Sequence, residues 1–186
     1  KQPKEIEDIN PNIILPGNGS FSHYISFLEK NNWKDIFENI IFNNSGKLIT
    51  ICSGFQSLGE SSNESPGIKG LGIINMKFEE ILKLSESSLQ INIGRKQIFK
   101  LDKKTINDDL TFLNSCSFEN INYPFFVHGF ASSLNDHSKD FKLKKFTCLY
   151  SLIDDSKILA GLISNNFCGT QFHPELSGES WRSFML

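Results

Sequence analysis

The segment CGTQFHPELSG, residues 168–178, holds a histidine, a proline and a glutamate in direct succession. Residues i and i+2 of an extended segment point to the same side, so His173 and Glu175 can face one site. Pro174 restricts the backbone between them. An imidazole held by a carboxylate is the usual arrangement of an oriented general base. The same tripeptide is also common in surface turns, so a catalytic interpretation requires a nucleophile elsewhere in the chain.

The segment KLITICSGFQ, residues 47–56, offers such a nucleophile. A β-prone run ends at one cysteine, and the residues after it are compatible with a helix. This is the pattern of a nucleophile elbow, in which the side chain stands on a sharp turn and the next backbone N–H helps to bind an oxyanion. The first N–H groups of a helix also favour a thiolate. Cys52 is therefore a candidate nucleophile, and a packed thiol at a strand end is the alternative.

The remaining cysteines and histidines have weaker claims to chemistry. Three cysteines have neither an elbow nor a neighbour at metal-ligand spacing, and we expect them to be structural thiols: Cys116, Cys148 and Cys168. His128 follows an apolar run, which favours a buried core residue over a catalytic one. His23 and His137 lie in polar contexts and are assigned no role.

The segments that would position these residues alternate between strand and helix patterns in the first half of the chain. The apolar run from Asn12 to Leu15 predicts a buried strand that ends at Pro16 and Gly17. A helix is predicted from an apolar stripe at helical spacing: Trp33, Ile36, Phe37, Ile40 and Ile41. Lys47 to Ile51 predicts a second strand.

The second half of the chain is richer in strand patterns. Five segments have this character: GLGIINMKF, QINIGRKQIFKL, YPFFVHGFASS, KFTCLYSLI and KILAGLIS. A helix is predicted to begin in GESWRSFML near the end of the chain. We therefore expect an α/β fold with a mostly parallel central sheet, helices on both faces and an antiparallel excursion.

Composition sets limits on the class of protein. The chain has 186 residues, of which 39% are hydrophobic and 22% charged, as in a single globular domain. Its net charge of −2 gives no electrostatic reason to expect nucleic acid or an acidic membrane surface as a partner. No apolar run approaches the ~18 residues of a transmembrane helix. Because the segment KQPKEIEDIN is charged, unlike a signal peptide, we expect the cytoplasm as the location.

Five motifs in a fixed order connect the chain to a known family: PGNGSF at 16–21, TICSGFQ at 50–56, GLG at 70–72, FVH at 126–128 and GTQFHPE at 169–175. Together they closely resemble the class I (triad) glutamine amidotransferases. Among these, the chain most resembles the glutaminase subunits of imidazole glycerol phosphate synthase, which act in histidine biosynthesis. The resemblance covers nearly the whole chain and implies one flavodoxin-like amidotransferase domain over residues 1–186.

The resemblance assigns catalytic roles to three residues. It implies that Cys52 attacks the side-chain amide of L-glutamine, that His173 transfers the proton, and that Glu175 orients His173. Water then releases glutamate. The family needs no metal or organic cofactor for this chemistry.

The resemblance also implies how substrate and oxyanion are bound. The oxyanion would be held by backbone N–H groups of Ser53 and of the turn around Asn18, where Gly17 and Gly19 allow the peptide to turn inward. Gln56, one turn along the elbow helix, would contact the substrate glutamine.

The implied partner is an ammonia-accepting synthase (cyclase) subunit, with which the chain would form a heterodimer. Three alternatives stay open: a glutaminase subunit for a sugar amidotransferase of surface-polysaccharide synthesis, a stand-alone enzyme similar to γ-glutamyl hydrolases, and a non-catalytic relative that only binds a partner. Release of glutamate from glutamine would separate the enzymes from the binding protein.

Several positions depart from the family pattern. The strand and helix that usually precede the LPG strand are missing from the sequence, so we expect that it is a fragment or that its ordered part begins late. Thr50 stands where the family usually has glycine, two residues before the nucleophile, which suggests a tighter elbow. Phe125 replaces a tyrosine, Leu176 replaces a lysine, and INIGRK, residues 91–96, replaces a PHMGWN-like segment. The resemblance places these last three differences near the partner-docking face.

Overall fold

A computed structural model describes residues 10–84, 88, 90–101, 123–134 and 145–178 of the chain. In the described residues the helices are α1 (Phe21–Lys30), α2 (Trp33–Asn43), α3 (Ser53–Gln56) and α4 (Ile81–Leu84). The strands are β1 (Asn12–Leu15), β2 (Lys47–Ile51), β3 (Ser61–Ser62), β4 (Lys77–Glu80), β5 (Asn92–Arg95), β6 (Phe99–Lys100), β7 (Phe125–His128), β8 (Phe130–Ala131), β9 (Thr147–Ile153), β10 (Ser156–Ile163) and β11 (Phe167–Thr170). A short 3₁₀ helix covers Pro174–Leu176.

The central sheet has six strands in the order β1-β2-β11-β10-β9-β6. β1, β2 and β11 run parallel, whereas β10, β9 and β6 each pair antiparallel to their neighbours. The predicted α/β class is confirmed, but the antiparallel part is half of the described sheet and not a small excursion. The reason is local: β9, β10 and β11 follow one another through short connections, which force neighbouring strands to run antiparallel.

The first two helices form where the sequence predicts them. Ser20 lies at the N-terminal cap of α1, and its hydroxyl accepts a hydrogen bond from the His23 backbone at 3.4 Å. The apolar stripe predicted from residues 33–41 lies on the inner face of α2, where Trp33, Phe37 and Ile40 are buried. This burial, and not helix propensity alone, stabilises a helix of 11 residues.

Both faces of the sheet are covered. On one face, α1 and α2 pack in a large apolar cluster with Leu48 of β2 and Phe167 of β11. On the other face, Ile49 and Ile51 pack in a second cluster with Phe126 of β7. Side chains of a strand alternate between faces, so the two clusters lie on opposite sides of β2. No helix in the described ranges is long and apolar enough to cross a membrane.

The second half of the chain adds two small sheets beside the central one. β5 and β7 form an antiparallel ribbon, and β3, β4 and β8 form a three-stranded sheet. The strand predicted over GLGIINMKF was wrong for most of its length, because a strand begins only at Lys77. Ahead of it, the backbone of Gly70, Leu71 and Ile74 hydrogen-bonds back to residues 57–60 as an irregular loop. The segment predicted to begin a C-terminal helix, GESWRSFML, lies outside the described residues except for Gly178.

Candidate active site

The predicted elbow is present at the end of β2. Cys52 follows the last residue of the strand, and α3 begins at Ser53. The backbone of Cys52 has φ 46° and ψ −112°, a conformation that a residue with a side chain seldom adopts. Such strain costs about 1–3 kcal/mol and persists only where the surroundings impose it. Hydrogen bonds on both sides do so here: Cys52 N donates to Thr170 O at 2.7 Å, and Gln56 N donates to Cys52 O at 2.9 Å.

Glycines allow the short helix after the elbow to lie close to its neighbours. A Cβ on Gly54 would lie 2.7 Å from the Pro16 carbonyl oxygen, and one on Gly169 would lie 2.4 Å from the Phe55 ring. Thr50, which stands where glycine was expected, is fully buried, and its hydroxyl makes no hydrogen bond. The close approach that the family pattern places at residue 50 is therefore made at Gly54 and Gly169 in this chain.

The structure brings His173 and Glu175 together as the spacing predicted. His173 Nδ1 lies 2.6 Å from Glu175 Oε1. The backbone of His173 donates to Phe125 O at 2.8 Å, and its carbonyl accepts from the Ser177 hydroxyl at 2.5 Å. Because Nδ1 faces the carboxylate, it carries the proton, and Nε2 is left as the basic nitrogen. The pair is therefore an oriented base of the kind the sequence suggested.

Cys52 and His173 both lie beside Gly17. A Cβ on this glycine would lie 2.9 Å from Cys52 Cβ and 3.0 Å from His173 Cε1. Both side chains therefore approach the same point beside the Gly17 backbone. Any residue larger than glycine at this position would crowd both Cys52 and His173.

The thiol itself is neutral in this conformation. The pKa of Cys52 is raised to about 11, mainly by burial and also by the negative charges of Glu64 and Glu175, although the Ser53 backbone N–H and Gln171 act to lower it. Gln171 Nε2 lies 3.6 Å from Sγ, and Sγ lies 3.9 Å from Val127 O. A thiol with this pKa needs a base to remove its proton near neutral pH.

The turn at residues 16–19 lies against the elbow, as the oxyanion prediction requires. Gly19 has φ +131°, which favours glycine. The Ser53 backbone N–H lies close enough to the Cys52 sulfur to lower its pKa, so it is a candidate donor to an oxyanion on a thiol adduct. Gln56 is buried, and its Nε2 donates to Phe130 O at 3.2 Å and to Gln171 Oε1 at 3.1 Å.

Comparison with known proteins identifies the family of the chain. No family model matches the chain. The HisH subunit of imidazole glycerol phosphate synthase from Pyrococcus furiosus is 31% identical over 179 residues, which are 96% of this chain and 80% of that protein. The HisH subunit from Prochlorococcus marinus subsp. pastoris is 31% identical over 183 residues, covering 97% of this chain and 78% of that protein. The chain belongs to the HisH family.

Two further comparisons extend this result. The fused imidazole glycerol phosphate synthase hisHF of Emericella nidulans is 30% identical over 184 residues; these cover 97% of this chain, which spans only 31% of that protein. A crystal structure of a glutamine amidotransferase shares the fold with a TM-score of 0.55 at 15% identity, covering 92% of this chain and 76% of that one. The HisH assignment makes the chain a glutamine amidotransferase.

Two of the departures from the HisH pattern lie beside the site. Phe125 pairs with the backbone of His173 in an isolated β-bridge. Leu176, which replaces the usual lysine, is exposed, and Arg95 donates to its carbonyl at 3.4 Å and to that of Ser177 at 3.0 Å. Arg95 is thus the cation that ties the INIGRK segment to the HPEL segment in this chain.

Sequence reasoning missed the polar network that surrounds the thiol. The Gln171 side chain contacts the Cys52 sulfur and also accepts a hydrogen bond from Gln56. Gln171 lies two residues before His173 on an extended run, so the sequence could have indicated that both side chains point to the same site. His128 is buried, as expected, and hydrogen-bonds to Phe130 O at 2.9 Å and to Asn92 at 3.1 Å. Burial, with the nearby His173, lowers the pKa of His128 to about 4, so it is neutral near pH 7. Cys148 and Cys168 are buried, and Cys116 and His137 lie outside the described residues.

Proposed function

We propose that Cys52, His173 and Glu175 form a catalytic triad that hydrolyses L-glutamine to glutamate and ammonia. His173 Nε2 takes the thiol proton, the sulfur attacks the amide carbon, and the imidazolium returns the proton to the departing ammonia. Water then cleaves the thioester and releases glutamate. The observation that carries this proposal is the strained elbow at Cys52, which lies beside Gly17 together with an imidazole held by a carboxylate.

Oxyanion binding falls to backbone groups on two sides of the thiol. The Ser53 N–H lies on the elbow side, and the Asn18 and Gly19 peptides lie on the turn side. Gln56 and Gln171 form the wall beside the sulfur, where the amide of a bound glutamine would lie. No organic group or metal takes part in the proposed steps.

The proposed partner is the cyclase of imidazole glycerol phosphate synthase, in a heterodimer that channels ammonia. The relatives named HisH and hisHF support this assignment over a sugar amidotransferase.

We also propose that the isolated chain hydrolyses glutamine slowly, because its thiol is neutral and the turn at residues 16–19 must supply an N–H to the oxyanion. A 100-fold gain on docking requires about 3 kcal/mol, well within the range of allosteric coupling. The cytoplasmic location of the protein stays a prediction from the sequence.

An exposed apolar stripe beside the thiol is the proposed docking face. Ile93 of β5 pairs with Val127 of β7, and the exposed fractions of Ile91, Ile93 and Val127 are 54%, 62% and 36%. The Val127 carbonyl lies 3.9 Å from the sulfur of Cys52. A partner that covers this stripe would close the site against water at the point where ammonia leaves.

Substitution of the nucleophile tests the proposed reaction. Cys52→Ala should lower glutamate release from glutamine to background, both alone and with the cyclase and its acceptor. Cys168→Ala is the matched control, because Cys168 is also a buried thiol of the same apolar cluster but lies in β11, opposite Ile49 and not at the elbow. A glutamine-like diazoketone should label Cys52 and none of the other three cysteines. Glutamate release above background by Cys52→Ala would refute the assignment.

Substitution in the stripe tests the partner. Ile93→Glu should raise the cyclase concentration needed for half-maximal stimulation by about tenfold or more, since burial of such a side chain contributes about 1.5–3 kcal/mol. Phe27→Glu is the control, since Phe27 is also exposed but lies on α1. Equal loss of stimulation in both variants would argue against this docking face.

A further inference from the structure

The segment that carries the base is attached to the first residue of β7. The His173 backbone N–H donates to Phe125 O at 2.8 Å, and the two residues pair in an isolated β-bridge. Phe125 also donates its own N–H to the Ser177 hydroxyl at 2.8 Å. Both backbone groups of one strand residue therefore hold the segment, one at His173 and the other at Ser177.

The Ser177 side chain links the two ends of this segment. Its hydroxyl donates to His173 O at 2.5 Å and accepts from Phe125 N, while the Ser177 backbone N–H donates to Pro174 O at 3.0 Å. Ser177 is buried at 7% exposure. Loss of the hydroxyl would leave the Phe125 N–H without its acceptor, and a donor left unpaired away from water is costly. The hydroxyl therefore fixes the backbone of His173 to β7.

Arg95 holds the same segment from the neighbouring strand. It lies opposite Phe125 in the ribbon of β5 and β7, and its Nη1 donates to Ser177 O at 3.0 Å and to Tyr123 O at 3.1 Å. Its Nη2 donates to Leu176 O at 3.4 Å. A guanidinium presents its donors in a fixed planar fork, and a charged donor makes a stronger hydrogen bond than a neutral one. The fork therefore fixes the carbonyl end of the segment to β5.

Three departures from the family pattern meet in this cluster. Arg95 belongs to the INIGRK segment, Leu176 stands in place of a lysine, and Phe125 stands in place of a tyrosine. In the structure Arg95 pairs with Phe125 and donates to the Leu176 carbonyl. The residue after Glu175 is thus no longer a cation, and a cation on the facing strand binds the backbone at this point instead.

We propose that Arg95 and Ser177 are positioning residues of the general base. Both act through the backbone from which the His173 and Glu175 side chains extend, and they keep Nδ1 at 2.6 Å from Oε1. This inference rests on the proposed glutaminase function and adds to it the residues that orient its base.

Two substitutions test the proposal by activity. Ser177→Ala removes the hydroxyl, and Arg95→Met removes the donors but keeps an unbranched side chain. Each should lower kcat for glutamate release about tenfold with KM within a factor of two, since a base displaced by less than ~1 Å loses less than the ~100-fold of a full ångström. The rates are measured at saturating cyclase and acceptor, so that weaker docking does not contribute.

Ser151→Ala and Lys100→Met are the matched controls. Ser151 is buried at 1% exposure, and its hydroxyl donates to Gln97 O at 2.8 Å in β9, a strand that pairs with neither β2 nor β11. Lys100 is an exposed cation of β6. Both controls should keep the natural kcat, even where Ser151→Ala lowers the melting temperature.

A second measurement does not depend on activity. The Nδ1 proton of His173, held by Glu175, should give a sharp downfield proton NMR resonance in the natural chain that disappears in Glu175→Gln. This resonance should broaden by exchange with water in Ser177→Ala and in Arg95→Met, because the hydrogen bond opens more often, and it should stay sharp in both controls.

The two measurements separate this inference from the proposed function. Natural kcat in both test variants, or a His173 resonance as sharp in both as in the natural chain, would overturn the positioning role. A natural chain that releases no glutamate even with the cyclase would refute the proposed function instead, and the resonance would then decide on the positioning role alone.

Discussion

Gly17 offers a sharp test of the proposed site, because a side chain there would press on both Cys52 and His173. In Gly17→Ala the new methyl group would lie 2.9 Å from Cys52 Cβ, 2.9 Å from Ile51 Cγ2 and 3.0 Å from His173 Cε1. Ordinary carbon contacts are about 3.5–4.0 Å, so the neighbours must move by ~0.5–1 Å. The Gly17 φ lies outside the left-handed region, so the effect is steric and not a matter of backbone strain.

The size of the effect follows from which atoms must move. Ile51 is fixed in the sheet and Cys52 by the elbow, so His173 gives way most. A displacement near 1 Å in a catalytic pair costs about 10²-fold in rate, whereas overpacking of this kind costs about 1–3 kcal/mol of folding free energy. We therefore expect kcat to fall about 100-fold while the chain stays folded.

The assay is glutamate formation with the cyclase and acceptor present, alongside a thermal melt. Gly129→Ala is the matched control: a Cβ there would meet nothing closer than the Gln90 carbonyl at 3.6 Å, and its φ also lies outside the left-handed region. The control should keep full activity. If Gly17→Ala retains more than about a third of the natural kcat, the thiol and imidazole do not act across this glycine and the reasoning fails.

Two further predictions concern charge. Glu175→Gln should lower kcat by about 10²-fold or more with little change in KM, because the carboxylate stabilises the imidazolium in the transition state and does not touch substrate; an effect on KM alone would contradict this role. His128 takes up its proton near pH 4 when folded but near pH 6.5 when unfolded, so unfolding binds a proton between these values. The free energy of unfolding should therefore fall by up to about 3 kcal/mol as the pH drops from 7 to 4. Urea titrations of the natural chain and His128→Asn should differ in this slope, and parallel curves would show that His128 is not buried and neutral.

The chemistry of the site could be predicted from local sequence because its parts are short-range features. A strand followed by one cysteine and a helix-compatible run predicts an elbow, and His173 with Glu175 at i and i+2 predicts an oriented base. Both are present. The strands at 12–15 and 47–51 and the helix stripe at 33–41 were predicted for the same reason, since hydrophobic periodicity is a local property.

The arrangement of the second half could not be predicted in this way. GLGIINMKF has a strand-like composition, but the backbone of its first residues forms hydrogen bonds with the loop at 57–60 and not with a neighbouring strand. Such partners are distant in sequence, and no local pattern specifies them. The large antiparallel part of the sheet depends likewise on which strands become neighbours.

Residue types and their spacing alone predicted a candidate nucleophile, a candidate base and its orienting carboxylate. Only the tertiary structure decided the state of the thiol and of the turn. Burial is the main reason that the pKa of Cys52 is raised to about 11, and the Tyr24 hydroxyl of helix α1 donates to the Pro16 carbonyl oxygen in the turn. Desolvation and hydrogen bonds between separate elements exist only once the chain is folded, so the sequence specifies which groups react and the fold determines when they can.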